Sequence, residues 1–270
     1  MKLSKKIGSV ILFVMLIAGP SLLFAHDNSP ADDIIIPECI WAAASGGGIW
    51  ETEVQITDMT GGSVVRAYFY FGTSWRNVTL WTSSGAWRSV KFSNVLATMQ
   101  SLDSSFTYYG KVGALWLSTQ DSSHLIQAQA RTYNGNYGKT FPGLKWVASN
   151  TANVGRRMMI MNLSQNSTYR TFVGFFNATS GGFYMTVEFR IIDQNNNLVG
   201  SIFTKTFAPW EFKSFNPFAE AGVSSGTYDN CWLYINPTSA GGSGAGLICF
   251  GSSANNYTND TYAHIAVQFQ

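Results

Sequence analysis

Hydrophobic and polar residues alternate along most of the chain beyond about residue 33. Alternation with a period of two is typical of strands that bury one face. The alternating runs are rich in Val, Ile, Thr and aromatic residues, and Gly, Asn and Ser separate them. They predict strands at Glu53–Thr57, Val64–Phe71, Ala114–Leu117, Leu125–Tyr133, Met158–Leu163, Met185–Ile192, Leu198–Phe207 and Ile265–Phe269. Only two short helices are indicated, at Phe92–Leu102 and Pro217–Ala221, so we expect an all-β fold.

The first 25 residues have a different pattern. Three lysines among the first six residues precede an apolar run from residue 7 to about residue 24, and the small Ala25 follows it. This order is that of a secretory signal peptide, and we expect cleavage after Ala25. The Gly19-Pro20 step breaks the helix near its end, which favours cleavage over a retained anchor. The sequence therefore predicts a secreted, periplasmic or cell-surface protein that has no membrane span after cleavage.

Removal of this segment changes the charge balance. The whole chain has 17 basic and 15 acidic residues, and losing three lysines leaves 14 against 15, a net charge of −1. A chain without basic excess lacks the electrostatic attraction that dominates nucleic-acid binding, so we expect no nucleic-acid partner.

Two halves of the chain carry similar landmarks. Residues 52–62 and 171–181 both read T-x-V-x-apolar-x-[DN]-x-T followed by glycine, and Phe176 stands where the first copy has Thr57. Three later landmarks keep the same order, at offsets of about 117 to 123 residues: Trp87 with Phe92 and Trp210 with Phe215, residues 114–117 and 231–234, and residues 134–140 and 255–261. We therefore predict two tandem, similar β-sandwich domains with short helical turns, at residues 34–145 and 146–270.

This arrangement resembles the tandem β-sandwich repeat proteins that bacteria secrete and that have no assigned activity. The resemblance covers most of residues 34–270 and rests on short motifs. It implies a strand with a Thr and a closing Asn or Asp, a short helix within each repeat, and a late hairpin of small residues. It carries over no catalytic residues.

The three cysteines allow two interpretations. Cys231 and Cys249 flank a Gly/Ser-rich segment at residues 239–244, so a hairpin centred on that segment would place them opposite each other. Disulfides persist in the oxidising compartments to which export leads, and we predict a Cys231–Cys249 bridge with Cys39 left over. The alternative is three buried, reduced thiols.

Aromatic residues make up 15% of the chain, and one segment arranges them as a candidate site. Trp75, Asn77, Thr79 and Trp81 share one parity, whereas Val78 and Leu80 lie on the other. If Val78 and Leu80 are buried, alternation turns both indole rings outward beside amide and hydroxyl groups. Such a surface suits the apolar faces and hydroxyls of a sugar. The alternative is that the segment bends and the rings cover the ends of the core.

Catalytic and metal-binding patterns are weak. His124 is expected in a solvated loop and His264 at a surface or edge position, and neither has a nucleophile in a sharp glycine turn. Glu51 and Glu53 lie on one strand face, as solvated acids commonly do. The Asn- and Asp-rich loop near residues 255–260 is interpreted as a hydrogen-bonded turn. We expect no catalytic residues, no metal and no cofactor.

These observations favour an exported, non-catalytic surface, matrix or binding protein. One alternative is a carbohydrate-binding module that uses Trp75 and Trp81. Another is an outer-membrane β-barrel, which the alternating strands and the abundant glycine and aromatic residues would also suit. The expected partner is a polysaccharide or another extracellular protein.

Overall fold

The computed structural model describes residues 27–44, 47–147, 150–179, 182–223, 226–240, 246–258 and 260–269. The predicted signal peptide and its cleavage site lie outside these residues. Within the described part of the chain, neither helix has the length and apolar character needed to span a bilayer.

In the first half, the residues that the structure describes form nine strands and one helix. They are β1 Asp33–Ala43, β2 Ile49–Asp58, β3 Val64–Phe71, β4 Ser74–Thr82, β5 Arg88–Phe92, α1 Val95–Leu102, β6 Lys111–Ser118, β7 Ile126–Asn134, β8 Tyr137–Pro142 and β9 Leu144–Lys145.

The described part of the second half also forms nine strands and one helix. They are β10 Arg157–Gln165, β11 Tyr169–Asn177, β12 Met185–Ile192, β13 Leu198–Phe207, β14 Phe212–Phe215, α2 Pro217–Glu220, β15 Tyr228–Ala240, β16 Leu247–Asn255, β17 Thr261–Ile265 and β18 Val267–Phe269.

The predicted all-β fold class is confirmed. Three predicted strands coincide with β3, β12 and β13, and both predicted helices form in shorter versions. The side chains of Asn94 and Asn216 cap these helices by accepting hydrogen bonds from backbone amides of the first turn. The run predicted as one strand at residues 265–269 is interrupted at Ala266. Ile265 is the last residue of β17, and residues 267–269 form β18.

The strands of the first half form one bent, antiparallel sheet that folds into two layers. Sheet 1a has the order β4-β3-β6-β1-β9 and sheet 1b has the order β5-β2-β7-β8. The pairing of Ala42 with Trp50 joins the layers between β1 and β2. Alternate residues of both layers meet in one hydrophobic core, which includes Ile34, Val54 and Leu117.

The second half repeats this strand order. Sheet 2a has the order β13-β12-β15-β10-β18 and sheet 2b has the order β14-β11-β16-β17. Adding nine to each strand number of the first half reproduces both orders. The strands up to Lys145 belong to sheets 1a and 1b, and those from Arg157 onward belong to sheets 2a and 2b. The domain limits at residues 145 and 146 stay a prediction.

The sequence landmarks occupy equivalent positions in the two halves. Trp87 and Trp210 both have a positive φ, of 60° and 59°. The Trp87 amide donates to the carbonyl of Asp58 at 2.6 Å, and the Trp210 amide donates to that of Asn177 at 2.9 Å. In each half, a Trp with left-handed backbone conformation thus donates to the carbonyl of an Asp or Asn at the end of an earlier strand. The Trp lies just before β5 in the first half and just before β14 in the second.

The predicted hairpin between Cys231 and Cys249 is wrong. Cys231 lies on β15 in sheet 2a, whereas Cys249 lies on β16 in sheet 2b, so the chain crosses between layers there. The same crossing joins β6 to β7 in the first half. All three cysteines are buried free thiols, so the predicted Cys231–Cys249 bridge is not formed and the reduced-thiol alternative holds.

We expect all three thiols to resist alkylation in the folded protein. Burial raises the pKa of Cys231 to about 11 and that of Cys39 and Cys249 well above the ordinary range, and the thiolate is the reactive form. Intact mass spectrometry without reductant should show no rapid modification before denaturation and three added groups after it. Fewer than three groups after denaturation would reveal a bridge. The same spectra test the predicted N-terminus at His26.

A third cluster of buried residues joins the two halves. The outer face of sheet 1a contributes Ile35, Tyr70 and Ala114, and Phe141 and Leu144 extend this surface. The outer face of sheet 2b contributes residues that are mostly aromatic: Phe176, Phe212, Ile248 and Phe250. The Phe212 amide also donates to the carbonyl of Gly72 at 2.8 Å. The halves therefore share an apolar interface rather than a flexible junction.

Candidate functional site

Most residues of the candidate site predicted on β4 have the expected exposure. Val78 and Leu80 are buried, at 8% and 7% exposure, whereas Trp75, Asn77 and Thr79 are exposed on the opposite face. Trp75 is 46% exposed, a high value for a tryptophan. Tyr68 and Tyr70 of β3 lie opposite Asn77 and Trp75. The alternation that predicts an outward-facing row therefore holds from Trp75 to Thr79.

Trp81 departs from this row. Its partner on β3 is the buried Val65, whereas Thr79 pairs with the next residue, Arg66, so the register shifts by one residue between them. Such a β-bulge reverses the facing of the strand beyond it. The indole of Trp81 therefore packs against the core of the first half, as the alternative interpretation expects, and does not join Trp75.

Trp75 instead begins a row of aromatic rings, which we call the aromatic seam: Trp75, Tyr68, Trp116, Trp146 and Trp210. Its members are half-buried, except for the exposed Trp75. Tyr68 lies between Trp75 and Trp116, with ring centroids 6.1 and 5.8 Å away. Trp116 contacts Trp146 at 5.0 Å and stacks with Trp210 at 5.3 Å. The seam thus follows the outer face of sheet 1a to the junction with the second half.

Hydrogen bonds and packing fix several rings of the seam. Trp116 Nε1 donates to Asp33 Oδ1 at 2.8 Å, and Gln120 Nε2 donates to the Tyr68 hydroxyl at 2.8 Å. Burial raises the pKa of Asp33, although hydrogen bonds from Ser118 and Trp116 act in the opposite direction. The buried Tyr70 lies beneath the row and stacks with Trp116 and Trp210. The rings are therefore held in place before any ligand arrives.

An open groove adjoins the exposed end of the seam. It has a volume of about 600 Å³ and lies beside the edge strand β4. Its lining is mainly polar and consists of Thr73, Ser74, Trp75, Arg76, Asn77, Asp103 and Ser105. Hydroxyl, amide, guanidinium and carboxylate groups thus line this groove together with Trp75.

Farther along β1, the junction between the halves becomes polar. Lys139 Nζ forms an ion pair with Glu38 Oε1 at 2.8 Å and donates to Ser252 Oγ at 2.7 Å. The side chains of Lys139 and Glu38 are only 8% and 12% exposed, and they line a cleft of about 280 Å³ together with Trp50 and Phe172. The ion pair joins sheets 1a and 1b of the first half, and the hydrogen bond from Lys139 to Ser252 links it to sheet 2b of the second half beneath an accessible cleft.

The histidines and paired acids have local partners. His264 is half-buried on the edge strand β17, with Nε2 3.3 Å from Ser253 Oγ. Burial lowers its pKa, and the charge of Lys139 adds to this effect. His124 lies 3.7 Å from Asp121 in a loop. Glu53 pairs with Lys91 at 2.7 Å, while Glu51 accepts a hydrogen bond from Asn94.

The sequence predicts only some members of the aromatic seam. Trp116 and Trp210 are landmarks of the repeat, and the period-two pattern puts Trp116 on the opposite face from the buried Leu115 and Leu117. Their contact with each other depends on the docking of the two halves. Trp146 follows the last short strand of the first half and carries no local signal that places it beside Trp116.

The comparisons with known proteins are sparse. No protein-family model matches the chain, and no curated protein matches it. Among solved structures, the chain is similar to the VP2 subviral particle of infectious bursal disease virus, with 10% identity, a TM-score of 0.23 and coverage of 91% of this chain and 69% of that one. It is also similar to a putative β-galactosidase from Bacteroides fragilis, with 9% identity, a TM-score of 0.17 and coverage of 84% and 34%. Scores this low carry no argument about function.

Proposed function

We propose that this chain is an exported, non-catalytic binding protein that holds a polysaccharide along the aromatic seam. The observation that carries the proposal is the 46% exposure of Trp75, at the open end of a row of aromatic rings in mutual contact. The Lys-rich, apolar beginning of the chain supports export.

The chemistry of the seam suits a sugar chain. A pyranose ring has apolar C–H faces that pack on aromatic rings, and its hydroxyls need hydrogen-bonding partners at the rim. Trp75 offers the ring, and Asn77, Arg76 and Asp103 line the groove beside it. Because Tyr70, Asp33 and Gln120 hold the other rings, binding costs little side-chain ordering.

We expect Trp75→Ala to weaken polysaccharide binding by at least about tenfold, since one stacked ring contributes on the order of 1.4 kcal/mol or more. A glycan array identifies the ligand first, and isothermal titration calorimetry on that glycan gives the affinities of the wild type and the variant. Trp87→Ala is the matched control, because Trp87 is 71% exposed but lies outside the seam.

Equal affinity of the wild type and Trp75→Ala for the selected glycan would remove Trp75 from the site. If no glycan binds, the polysaccharide proposal fails, and the seam is then better explained as a surface for a protein partner.

A further inference from the structure

The polar cleft at the junction of the two halves is a second candidate binding site. Its volume of about 280 Å³ is close to the lower limit of small-molecule sites, roughly 300 Å³. Glu38 of β1 and Lys139 of β8 line it from the first half, and Phe172 of β11 and Ser252 of β16 line it from the second. Its lining does not include the five rings of the aromatic seam. The cleft is therefore separate from the seam and suits a ligand of about one ring.

The polar side of the cleft can exchange hydrogen bonds in both directions. Lys139 Nζ contacts Glu38 Oε1 and Ser252 Oγ, at 2.8 and 2.7 Å. An ammonium group has three donors and a carboxylate has about four acceptor sites, so these contacts leave both groups with further capacity. Hydrogen bonds to such charged groups are about twice as strong as those between neutral groups. A ligand hydroxyl can donate to Glu38 while it accepts from Lys139.

The charges of the cleft favour a neutral ligand. Glu38 and Lys139 already neutralise each other, and Arg170, the third charged residue of the lining, donates to Asn256 Oδ1 at 2.9 Å. An anionic ligand would meet the Glu38 carboxylate and a cationic ligand would meet the Lys139 ammonium, and like charges brought together in a desolvated site oppose binding. Two neighbouring hydroxyls carry no charge and complement both groups at once.

The remaining wall of the cleft is largely apolar. Phe172 is 46% exposed and Trp50 is half-buried, and the buried Val173 and Phe250 add to this wall. Aromatic rings pack against the C–H faces of a sugar ring. Thr261 also lines the cleft, and among the residues that the structure describes its buried hydroxyl has no hydrogen-bond partner. Because buried polar groups are normally satisfied, this side of the cleft is incomplete in the protein alone.

We propose that the cleft binds one neutral, polyhydroxylated ring of monosaccharide size. The ring packs its apolar face on Phe172 and Trp50, and its hydroxyls bind the pair of Glu38 and Lys139. This site goes beyond the polysaccharide binding proposed for the aromatic seam and does not depend on it.

Saturation-transfer NMR titrations with glucose, galactose and mannose test the proposal, each sugar beside its uronate and its 2-amino derivative. We expect at least one neutral sugar to bind, and its charged derivatives to bind at least about tenfold more weakly. Phe172→Ala should raise the dissociation constant at least about fivefold, because a packed aromatic face is lost. The matched control is Phe183→Ala, which removes an exposed phenylalanine outside the lining of the cleft. Circular dichroism checks that both variants fold.

The same titrations are run on Trp75→Ala, which should bind the sugar like the wild type. Failure of all three neutral sugars to bind overturns the proposal, and so does a charged derivative that binds more tightly than its neutral parent. Binding that Phe172→Ala leaves unchanged, or that Trp75→Ala abolishes, places the sugar outside the cleft. Calorimetry with the polysaccharide should give Phe172→Ala the affinity of the wild type, so failure of the cleft and failure of the seam are read separately.

Discussion

Replacing Asp58 with alanine is expected to destabilise the protein by roughly 3 kcal/mol or more, because four buried or part-buried donors would lose their acceptor. Asp58 is fully buried at the end of β2. Its carboxylate accepts hydrogen bonds from the backbone amides of Thr60, Gly61 and Ser63, and from the Ser63 hydroxyl at 2.7 Å. Urea unfolding at neutral pH measures the loss.

The same carboxylate predicts a dependence of stability on pH. Burial acts to raise the pKa of Asp58, but hydrogen bonds from Gly61, Ser63 and Ser83 outweigh it and hold the pKa well below its usual range. A depressed folded-state pKa contributes stability that is complete above the unfolded value of about 3.9 and is lost as the pH falls toward the folded value. The stability difference between the wild type and Asp58→Ala should therefore shrink below about pH 4.

Asp58→Asn separates the turn from the charge. Asn177 occupies the equivalent position in the second half, so the fold accommodates an amide side chain there, and the amide oxygen of the Asp58→Asn side chain can still accept hydrogen bonds from the turn. We expect Asp58→Asn to fold and to lose less stability than Asp58→Ala. Because the amide does not titrate, the pH-dependent contribution of Asp58 to stability should disappear. Asp193→Ala is the control, because Asp193 accepts similar turn bonds from Asn195 and Asn197 at an exposed site. Equal losses for Asp58→Ala and Asp193→Ala would contradict the structural role assigned to Asp58.

Trp81→Ala is expected to cost roughly 2–3 kcal/mol of stability, at the lower end of the range for large-to-small core substitutions. The reason is that the bulge directs the Trp81 indole onto the core of the first half, where it is only partly exposed. Trp75→Ala removes a ring of the same size from the same strand, but from an exposed position, and should cost less than about 1 kcal/mol. Urea unfolding of the two variants side by side makes the comparison.

The opposite order, with Trp75→Ala the more damaging variant, would contradict the exposed position of Trp75 and the packed position of Trp81. Equal and small losses would place both rings on the surface, as an uninterrupted row requires. The measurement therefore distinguishes the bulged strand from the regular one without any ligand.

Local patterns in the sequence were sufficient to predict many of the strands, both short helices and the turn at the end of β2. The limits of β3, β12 and β13 follow from alternation, because side-chain facing in a regular strand depends on neighbours two residues apart. The turn at Asp58 is local as well, since its short side chain accepts hydrogen bonds from backbone amides two to five residues later. These features could be read before any sheet was assembled.

The tertiary structure decided how these elements meet. A glycine-rich segment suits a hairpin and a crossing between layers equally, so the separation of Cys231 from Cys249 depends on which sheets β15 and β16 join. The bulge at Trp81 is set by register against β3, which lies outside the segment itself. A comparison of the two halves of the sequence shows Phe176 at the position equivalent to Thr57, but it does not show what the phenylalanine contacts. Only the docking of sheet 2b onto sheet 1a shows that an aromatic residue there builds the interface, because burial of that face depends on residues more than a hundred positions away.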